Sequence, residues 1–553
     1  MKKAMKIFAL LLIVAMVLPF AACGKKDSRS SDAMIIYNIY SDWDNQMNPY
    51  LCPAYDNMRQ TLCSPLVMSH NDTEDQHYEF DMCLAESVDV SEDGLVCTVK
   101  IKKEATWHDG KPVTAHDVCY TVNNIGTDPT ILYAQYYYGT DDGVWEEVDE
   151  KTFKVTYPNP TTYEAFCEHL YSDLTICPAH IFEGITGEDF NSFNWPDNKP
   201  IGNGPFKWVE GVQGEYVTLE RYDKYYEPAL VKYLRLQFIT EDTIAVMAMQ
   251  SGELDVTRTW DAITGVLIED PKINVVRFND RNTYCLHLNT GAVSTYSDIA
   301  VRKALSCLID RETICATALG NMAVPKYNFI DKLSGGYNAD VNFPYAYDPA
   351  QAAAYLEEAG YVKGADGFYG KDGQTLVISF EDYHGAGSDQ EKLFLILQQE
   401  AANIGLKVET NCNVDDDTWD KMSEESTFNC FISKCYFDST GTILDEMDEM
   451  LGELGDYYLG RENKKNMMWG DASLLPEIEG LIEEGRAAYD AGDEAKCQEV
   501  LNNIFTYLNE NLMFIPIYDS CTAFSSRANV HTEDCHYHNG TDQQYFNRIW
   551  VEK

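Results

Sequence analysis

Four potential metal ligands lie close together near the C-terminus, in the stretch HTEDCHYH. They are His531, Cys535, His536 and His538. Imidazole nitrogen and thiolate sulfur are good ligands for zinc, nickel and copper, and two histidines two residues apart share one face of a strand. The stretch could therefore bind a metal or a metal complex. The simpler interpretation, which we favour, is a surface strand or loop whose histidines bind no metal.

Other residue types that are common in active sites do not form a catalytic pattern. His108 stands in the turn-like sequence WHDG without a nucleophile at a known spacing, and Asp415–Asp417 form an acidic run typical of a solvated loop. The sequence contains neither H-E-x-x-H nor G-x-S-x-G. Gly202 and Gly204 resemble the start of a phosphate-binding loop, but Pro205 follows and the Lys-Ser/Thr pair is missing. We predict that the protein is not an enzyme and that these glycines mark a backbone crossing between lobes.

Length and charge narrow the classes of protein to which this chain can belong. At about 100–200 residues per domain, the 553 residues predict two to four domains. The 89 acidic residues outnumber the 42 basic ones, which gives a formal net charge of −47. Proteins that bind nucleic acids or anionic membrane surfaces through charge are basic. The composition therefore excludes nucleic acid as a partner and argues against a polybasic membrane-binding role.

The N-terminus has the features of a lipoprotein export signal. Residues 1–22 combine three lysines with the 14-residue apolar stretch Ile7–Phe20, which is shorter than the roughly 20 residues that span a membrane. The sequence FAACG around Cys23 resembles a bacterial lipobox except at Phe20, where Leu is usual. We expect a lipidated Cys23, a flexible tether over residues 23–32, and a position outside the cytoplasmic membrane, extracellular or periplasmic. A plain secretory signal is the alternative.

The cysteines raise the question of disulfide bonds. The chain has 17 cysteines, so 16 remain if Cys23 is lipidated, and an even count in an exported protein is typical of a disulfide framework. However, the spacing is scattered, no C-x-x-C occurs, and Cys97 and Cys307 fall on apolar faces of predicted elements. We therefore predict mostly free thiols, buried as small hydrophobic side chains, in a Gram-positive anaerobe from a reducing habitat.

Hydrophobic periodicity predicts strands early in the chain and alternating helices and strands later. Apolar and polar residues alternate over residues 95–102 and 153–157, as in half-buried strands. Helices are predicted by a 3.6-residue period together with capping residues: one after Asp298, one between Asp348 and Gly360, one over residues 393–404 that ends at Gly405, and one that begins at Asp493. The fold class is therefore α/β to α+β, with several domains.

Five stretches of the sequence resemble motifs of one protein family. They are LAESVDVSEDGLVCTVKIKKEATWHDGKPVTAHDV (84–118), PIGNGPFK (200–207), AMQSGELDV (248–256), DIAVRKALSCLIDR (298–311) and YDPAQAAAYLEEAGY (347–361). In this order they resemble the extracellular solute-binding proteins of family 5, the substrate-binding lipoproteins of bacterial ABC importers for peptides, oligopeptides and nickel. The resemblance covers nearly the whole chain after the signal.

The resemblance implies a clamshell of the type II periplasmic-binding-protein kind, in which two lobes close on a ligand around a hinge. Residues 33–65, 195–288 and 517–553 are expected to form the first lobe, residues 66–194 an extra domain, and residues 289–516 the second lobe. The implied function is to capture short peptides and deliver them to the transmembrane permease subunits of an ABC importer. The resemblance implies a monomer without a cofactor.

The resemblance also singles out candidate ligand-binding residues. Cys435 to Asp438 (CYFD) resembles the family's W-x-AD segment, in which the aspartate binds the amino terminus of a peptide. This singles out Asp438, with Tyr436 and Phe437 beside the pocket and Trp419 and Trp469 as further aromatic candidates. The segment departs from the family pattern, because Phe437 replaces Ala and the Asp/Glu-Pro that usually follows is absent, so a loop or N-cap role for Asp438 stays open.

Other ligands remain open, because family members also bind nickel, haem and oligosaccharides. The charge favours one kind of peptide. Removal of the signal with its three lysines would change the formal charge from −47 to −50, and long-range attraction should then speed the association of cationic peptides.

Overall fold

The structure is a computed structural model that describes residues 29–40, 50, 57–70, 79–131, 143–172, 174–185, 187–193, 195, 199–291, 294–330, 337–424, 427–436, 443–444, 447, 474–535, 537–538, 542–543 and 545–553. Among these residues, no helix is long and apolar enough to cross a membrane. The predicted signal (1–22), Cys23 and most of the tether lie outside this part of the chain and stay predictions.

The described strands are, in chain order, β1 (Met34–Ile39), β2 (Val67–His70), β3 (Glu79–Met82), β4 (Ala85–Val90), β5 (Val96–Ile101), β6 (Val144–Asp149), β7 (Thr152–Thr156), β8 (Phe206–Val212), β9 (Tyr216–Arg221), β10 (Tyr233–Phe238), β11 (Val256–Thr259), β12 (Ile273–Leu288), β13 (Ala323–Pro325), β14 (Val362–Lys363), β15 (Tyr369–Lys371), β16 (Gln374–Thr375), β17 (Val377–Glu381), β18 (Lys407–Asn411), β19 (Cys430–Tyr436), β20 (Phe514–Arg527), β21 (Val530–His531), β22 (Tyr537–His538), β23 (Asp542–Gln543) and β24 (Trp550–Val551).

The described helices of six residues or more are α1 (Asn57–Leu62), α2 (Ala115–Tyr120), α3 (Tyr163–Ser172), α4 (Asp242–Ser251), α5 (Ile299–Ser306), α6 (Pro349–Glu358), α7 (Asp389–Ile404), α8 (Asp416–Glu424), α9 (Leu475–Asp490) and α10 (Glu494–Asn511). Helices and sheets are mixed along the chain, which confirms the predicted α/β to α+β class.

One large sheet runs through the molecule. Within the described residues it has nine strands in the order β19-β12-β20-β11-β1-β10-β9-β8, with β13 attached to β20. Strands β12 and β20 are 16 and 14 residues long and pair with each other in antiparallel fashion along most of their length. Such long strands reach beyond the core of one domain, so this pair can connect two of them.

Two large hydrophobic cores include strands of this large sheet. One core includes Cys285 to Leu288 of β12, the first half of β20 and the buried faces of helices α5, α6, α7, α9 and α10; we call this side the second lobe. The other core includes β1, β9 and β10 together with Val530, Cys535, Phe546 and Ile549, and we call this side the first lobe. Side chains of the four-stranded sheet β4-β5-β7-β6 belong to the same core, so the segment predicted as an extra domain packs continuously against the first lobe. The predicted domain boundaries stay predictions.

The capping residues begin and end the helices as predicted. The Asp298 carboxylate accepts a hydrogen bond from the backbone N–H of Ala300 at 2.9 Å and begins α5. Asp348 caps α6 in the same way, and Pro349 occupies its first turn. Gly405 ends α7 with a φ of +87°, a left-handed conformation that costs a glycine little.

The predicted strand at residues 95–102 and the predicted free thiols are also found. In β5 the side chains of Cys97, Val99 and Ile101 are fully buried. The 14 cysteines whose side chains the structure describes are all buried, and no disulfide bond joins any of them. Burial raises the pKa of several of these thiols, that of Cys315 to about 12, so they are protonated at neutral pH and poorly nucleophilic.

The prediction that Gly202 and Gly204 mark a crossing between lobes is wrong, because both lie within the first lobe against the end of α1. A Cβ on Gly202 would lie 2.0 Å from the carbonyl oxygen of Leu62, so only glycine permits this approach. His108 bridges the two glycines: its Nδ1 accepts from the N–H of Gly202 at 3.1 Å and its Nε2 donates to the carbonyl of Gly204 at 3.0 Å. Burial lowers the pKa of His108 to about 4, which keeps it neutral in this structural role.

Candidate ligand-binding site

A cavity of about 760 Å³ lies between the two lobes, where β12 and β20 pass from one to the other. Residues from the end of β11 and the following loop (258–263) form the first-lobe wall, and residues of the segment 384–392 form the second-lobe wall. Side chains of β12 (280–284) and β20 (518–522) form the floor. This volume is within the range of roughly 300–1,000 Å³ typical of sites that bury small ligands.

The pairing of β12 with β20 is interrupted at the floor of the cavity. The register shifts between Asn279 and Thr283, where three residues of β12 stand opposite Ser520 alone. Extra residues in one strand form a bulge that bends the strand and redirects its side chains. Two residues of this bulge, Asp280 and Asn282, line the cavity.

A buried ion pair lies directly beside the bulge. Lys326 Nζ is 2.7 Å from Asp519 Oδ2, and the two side chains are 8% and 2% exposed. Asp519 also accepts hydrogen bonds from the Thr283 hydroxyl at 2.7 Å and the Asn279 amide at 3.1 Å. Because these donors come from β12 and from the residue after β13, the carboxylate ties three chain segments together at the junction of the lobes.

Asp280 has a different environment from its neighbour Asp519. Its carboxylate accepts hydrogen bonds from the Ser520 hydroxyl, at 2.6 and 2.7 Å to its two oxygens, and from the backbone N–H of Asn282 at 3.1 Å. Burial raises the pKa of Asp280 to about 6, and the charge of Asp519 adds to the rise. The hydrogen bonds from Ser520 and Asn282 and the charge of Lys434 only partly offset this effect.

Aromatic rings line the floor and the first-lobe wall of the cavity. The rings of Tyr284 and Tyr518 are stacked at 4.7 Å with an interplanar angle of 13° on the floor. On the first-lobe wall Trp260 packs against Tyr40 at 4.3 Å. The Asp242 carboxylate holds this wall in place, because it accepts the backbone N–H groups of Trp260 and the next residue, both at 2.8 Å.

The two walls touch each other beside the cavity. The Asp389 carboxylate, in the first turn of α7, accepts the backbone N–H of Ala262 at 3.3 Å and pairs with Lys392 at 2.6 Å. Nearby, a Cβ on Gly265 would lie 2.4 Å from the carbonyl oxygen of Gly320. The backbones of the lobes therefore approach each other as closely as glycine allows.

A histidine from the second lobe also faces the cavity. His384 lines it, and its Nδ1 is 2.7 Å from Oδ1 of Asp382, which is 1% exposed. A carboxylate at this distance fixes the hydrogen on Nδ1 and leaves Nε2 for other partners. The Tyr383 ring stacks on the imidazole at 4.4 Å and limits its rotation.

The structure places two of the five predicted ligand-binding residues. Trp419, in α8, is half-buried between the rings of Tyr383 and Phe431, both at 5.0 Å. Tyr383 directly precedes His384 in the chain, and His384 lines the cavity. Tyr436 ends β19 and pairs with Asn282 of β12, so β19 ends beside the cavity floor, although the Tyr436 side chain is not among those described. Phe437, Asp438 and Trp469 lie outside the described residues and stay predictions.

The potential metal ligands near the C-terminus are engaged in other contacts where the structure describes them. The His531 ring stacks on Trp550 at 3.7 Å, and its Nδ1 is 3.0 Å from Glu533. The buried Cys535 thiol donates to the carbonyl of Tyr545 at 3.5 Å. His538 lies in β22 without a described side chain, and His536 is outside the described residues. In the part of the chain covered by the structure, no group of three or more acidic, histidine or cysteine side chains could hold a metal ion.

The sequence analysis did not identify several cavity residues, including Asp280, His384 and Trp260. A weak signal was present for Asp280, because five consecutive polar residues (NDRNT, 279–283) lie between two apolar-rich parts of β12. Such an interruption in a long strand is typical of a bulge. For His384 and Trp260 no local pattern distinguishes a cavity residue from a loop or core residue.

Comparisons with known proteins assign this architecture to a family. Residues 79–445, about two thirds of the chain, match the bacterial extracellular solute-binding proteins, family 5 Middle. The oligopeptide-binding protein AppA of Bacillus subtilis is 27% identical over 357 residues, which are 61% of this chain and 62% of AppA. The match to AppA thus spans less than two thirds of the relative's length.

Solved structures share the fold over almost the whole chain. The substrate-binding protein CtaP of Listeria monocytogenes matches with a TM-score of 0.68 at 23% identity, over 95% of this chain and 100% of CtaP. NikA of Brucella suis, in complex with Fe(III)-EDTA, matches with a TM-score of 0.68 at 20% identity, over 94% of this chain and 100% of NikA. The clamshell fold predicted from the sequence is thereby confirmed, and the chain belongs to the bacterial extracellular solute-binding proteins of family 5.

Proposed function

We propose that this protein captures short peptides in the cavity between its lobes and delivers them to the permease of an ABC importer. The observation that carries the proposal is the cavity itself, which is lined by both lobes and by the strands that join them. It combines carboxylates, basic side chains and aromatic rings. A peptide presents the complementary groups, namely two charged termini, backbone amides and side chains of varied polarity.

Capture would occur by closure of the lobes around the ligand. Ligands stabilise a closed conformation only through contacts that the open one lacks, and here walls from both lobes can contact the same ligand. Hydrogen bonds from a few polar groups, together with water in the side-chain pockets, would allow many peptide sequences to bind. The wall contact from Asp389 to Ala262 would add to the closed state. No chemical step is needed, so we propose binding without turnover.

The peptide's amino terminus needs a carboxylate partner inside the cavity. In this proposal Asp438 supplies it, flanked by Tyr436 and Phe437, with Trp419 and Trp469 contributing to the surroundings. The end of β19 beside Asn282 supports this assignment, because Asp438 follows that strand by two residues. A charge-assisted hydrogen bond of this kind contributes about 1.5–3 kcal/mol.

The cellular setting follows from the N-terminal sequence. We propose that residues 1–22 are removed, that Cys23 is lipidated, and that the tether holds a monomeric clamshell at the outer face of the cytoplasmic membrane. The free, buried thiols support a reducing habitat such as that of a Gram-positive anaerobe. The lobes would follow the boundaries predicted above, with residues 66–194 as an extra domain on the first lobe.

Native mass spectrometry of the protein, purified without unfolding, tests this proposal. We expect a mixture of short peptides bound to the wild type and lost from Asp438→Ala. Peptides that remain on Asp438→Ala would leave the function standing and remove Asp438 from the site. A single metal or haem-like mass would overturn peptide capture and direct attention to the cluster from His531 to His538.

A further inference from the structure

Asp280 occupies an unusual position in the fold. It lies in the bulge of β12 at the junction of the lobes, where the bulge turns its side chain toward the cavity. In a regular antiparallel pair, Ser520 would face a single residue of β12, and the pleat would set the side of the sheet to which the Asp280 side chain points. The bulge therefore places a carboxylate on the cavity floor, where any ligand held by both lobes must pass close to it.

The carboxylate of Asp280 is bonded only to neutral donors among the residues that the structure describes. The Ser520 hydroxyl and the Asn282 N–H are those donors. Two other carboxylates at the same junction each have a cationic partner: Asp519 pairs with Lys326 at 2.7 Å and Asp389 with Lys392 at 2.6 Å. Asp280 thus differs from them in lacking an ion-pair partner within the described part of the chain.

Charged groups lie around Asp280, but within the described residues none of them forms an ion pair with its carboxylate. Lys434 on β19 acts on Asp280 through its charge and lowers its pKa, whereas Asp519 on β20 raises it. Asp261, on the first-lobe wall of the same cavity, is a further acidic group, and burial together with Asp242 and Asp389 raises its pKa to about 6. The cavity lining also carries the basic side chains Arg258, Lys392 and Lys434; Lys392 pairs with Asp389, and within the described residues none of the three forms an ion pair with Asp280.

We propose that Asp280 binds a cationic group of the ligand, either a primary ammonium or a guanidinium, on the floor of the cavity. This inference rests on the proposed function and specifies its ligand class as peptides that place a positive charge at the hinge. The Tyr518 ring lines the same floor and suits such a group, because aromatic faces attract cations. The Tyr284 ring, on which Tyr518 stacks, already has the Lys434 ammonium 5.7 Å from its centroid. The charge can come from the peptide's amino terminus or from a lysine or arginine side chain.

The test uses the full-length protein and two synthetic pools of tri- to pentapeptides of random sequence, one with free amino termini and one N-acetylated. Retained peptides are identified by mass spectrometry, and the dissociation constants of the most enriched ones are measured for wild type and Asp280→Asn. We expect wild type to retain cationic peptides and Asp280→Asn to bind them about 10- to 100-fold more weakly, as expected for a charge-assisted hydrogen bond. Enrichment of lysine and arginine assigns the cation to a side chain, whereas an affinity loss in Asp280→Asn that occurs with free amino termini and disappears with acetylated ones assigns it to the amino terminus.

Two control variants separate a local contact from general effects. Glu409→Gln removes one negative charge from a surface position that is 64% exposed and does not line the cavity, and it should change affinity less than threefold. Ser520→Ala keeps the carboxylate but removes its hydroxyl donor, so at pH 8 it should still bind the cationic peptides. Thermal unfolding midpoints equal to wild type would show that the variants fold.

The experiment distinguishes a failure of the proposed function from a failure of the role assigned to Asp280. A wild-type protein that retains no peptide refutes the proposed function, and the inferred ligand class falls with it. Peptides retained equally by wild type and Asp280→Asn, or weakened as much by Glu409→Gln as by Asp280→Asn, overturn the role of Asp280 and leave peptide capture standing.

Discussion

The ion pair between Lys326 and Asp519 allows a quantitative test of how the lobes are joined. Asp519 is 2% exposed, and without Lys326 its carboxylate would keep only the neutral donors Thr283 and Asn279. Removing one partner of a buried ion pair costs about 3–5 kcal/mol, because the other charge stays buried and uncompensated. We therefore expect Lys326→Met, which keeps most of the apolar stem, to lower the free energy of unfolding by about 3 kcal/mol or more.

Urea unfolding followed by circular dichroism measures this loss. With a slope of about 3 kcal/mol per molar urea, a loss of 3 kcal/mol moves the midpoint of the affected transition down by about 1 M. Lys407→Met is the matched control, because Lys407 pairs with Glu409 on the surface, where the two side chains are 43% and 64% exposed. Its effect should stay within about 1 kcal/mol.

A double variant identifies the cause of the destabilisation. In Lys326→Met/Asp519→Asn both charges are gone, and the amide can still accept the hydrogen bond from Thr283. This double variant should be more stable than Lys326→Met alone, because no buried charge is left without a partner. If Lys326→Met costs less than about 1 kcal/mol, or if the double variant is the less stable one, the pair is not a buried electrostatic connection and our description of the junction is wrong.

Three further predictions concern ligand binding. In Gly265→Ala the added methyl group would lie 2.4 Å from the Gly320 carbonyl oxygen, so the lobes must separate at this contact. Calorimetry should therefore show at least tenfold weaker peptide binding. An unchanged affinity would mean that this contact is not part of the closed state. Because the pKa of Asp280 without ligand is about 6 and a bound cation lowers it, the affinity for cationic peptides should be constant above pH 7 and fall as the pH drops through 6. The Asp280→Asn variant should lose this fall, and a wild-type affinity that is flat from pH 8 to pH 5 contradicts the prediction. If the signal is removed as proposed, the formal charge changes from −47 to −50. The association rate of cationic peptides should then decrease between 10 and 500 mM salt, over which the Debye length shrinks from about 30 Å to a few ångströms. Equal rates would show that the charge serves solubility alone.

Local features of the molecule were predictable from sequence because their causes are local. The helix after Asp298 begins where a carboxylate can cap the first turn, and α7 ends at Gly405 because glycine adopts a left-handed conformation easily. The burial of Cys97 followed from alternation along a single strand. Five motifs in order sufficed to identify the family, since each depends on the residues within it.

The sequence was a poor guide where a contact joins distant segments. Gly202 and Gly204 were assigned to a crossing between lobes, whereas they pack against Leu62, about 140 residues earlier in the chain. Their small size was evident in the sequence, but the surface that requires it was not. The sequence showed no catalytic pattern around His108, and only its two hydrogen bonds to these glycines show that its role is structural.

The sequence by itself determined the fold class, the capped helices and the family, because these depend on neighbouring residues and on motif order; the export signal that it indicates stays a prediction. Only the tertiary structure decided which side chains face the ligand cavity. Asp280 and Ser520 are 240 residues apart and meet because β12 and β20 pair in one register with a bulge between Asn279 and Thr283. Strand pairing over such separations is set by the packing of whole lobes, so no local pattern reveals it.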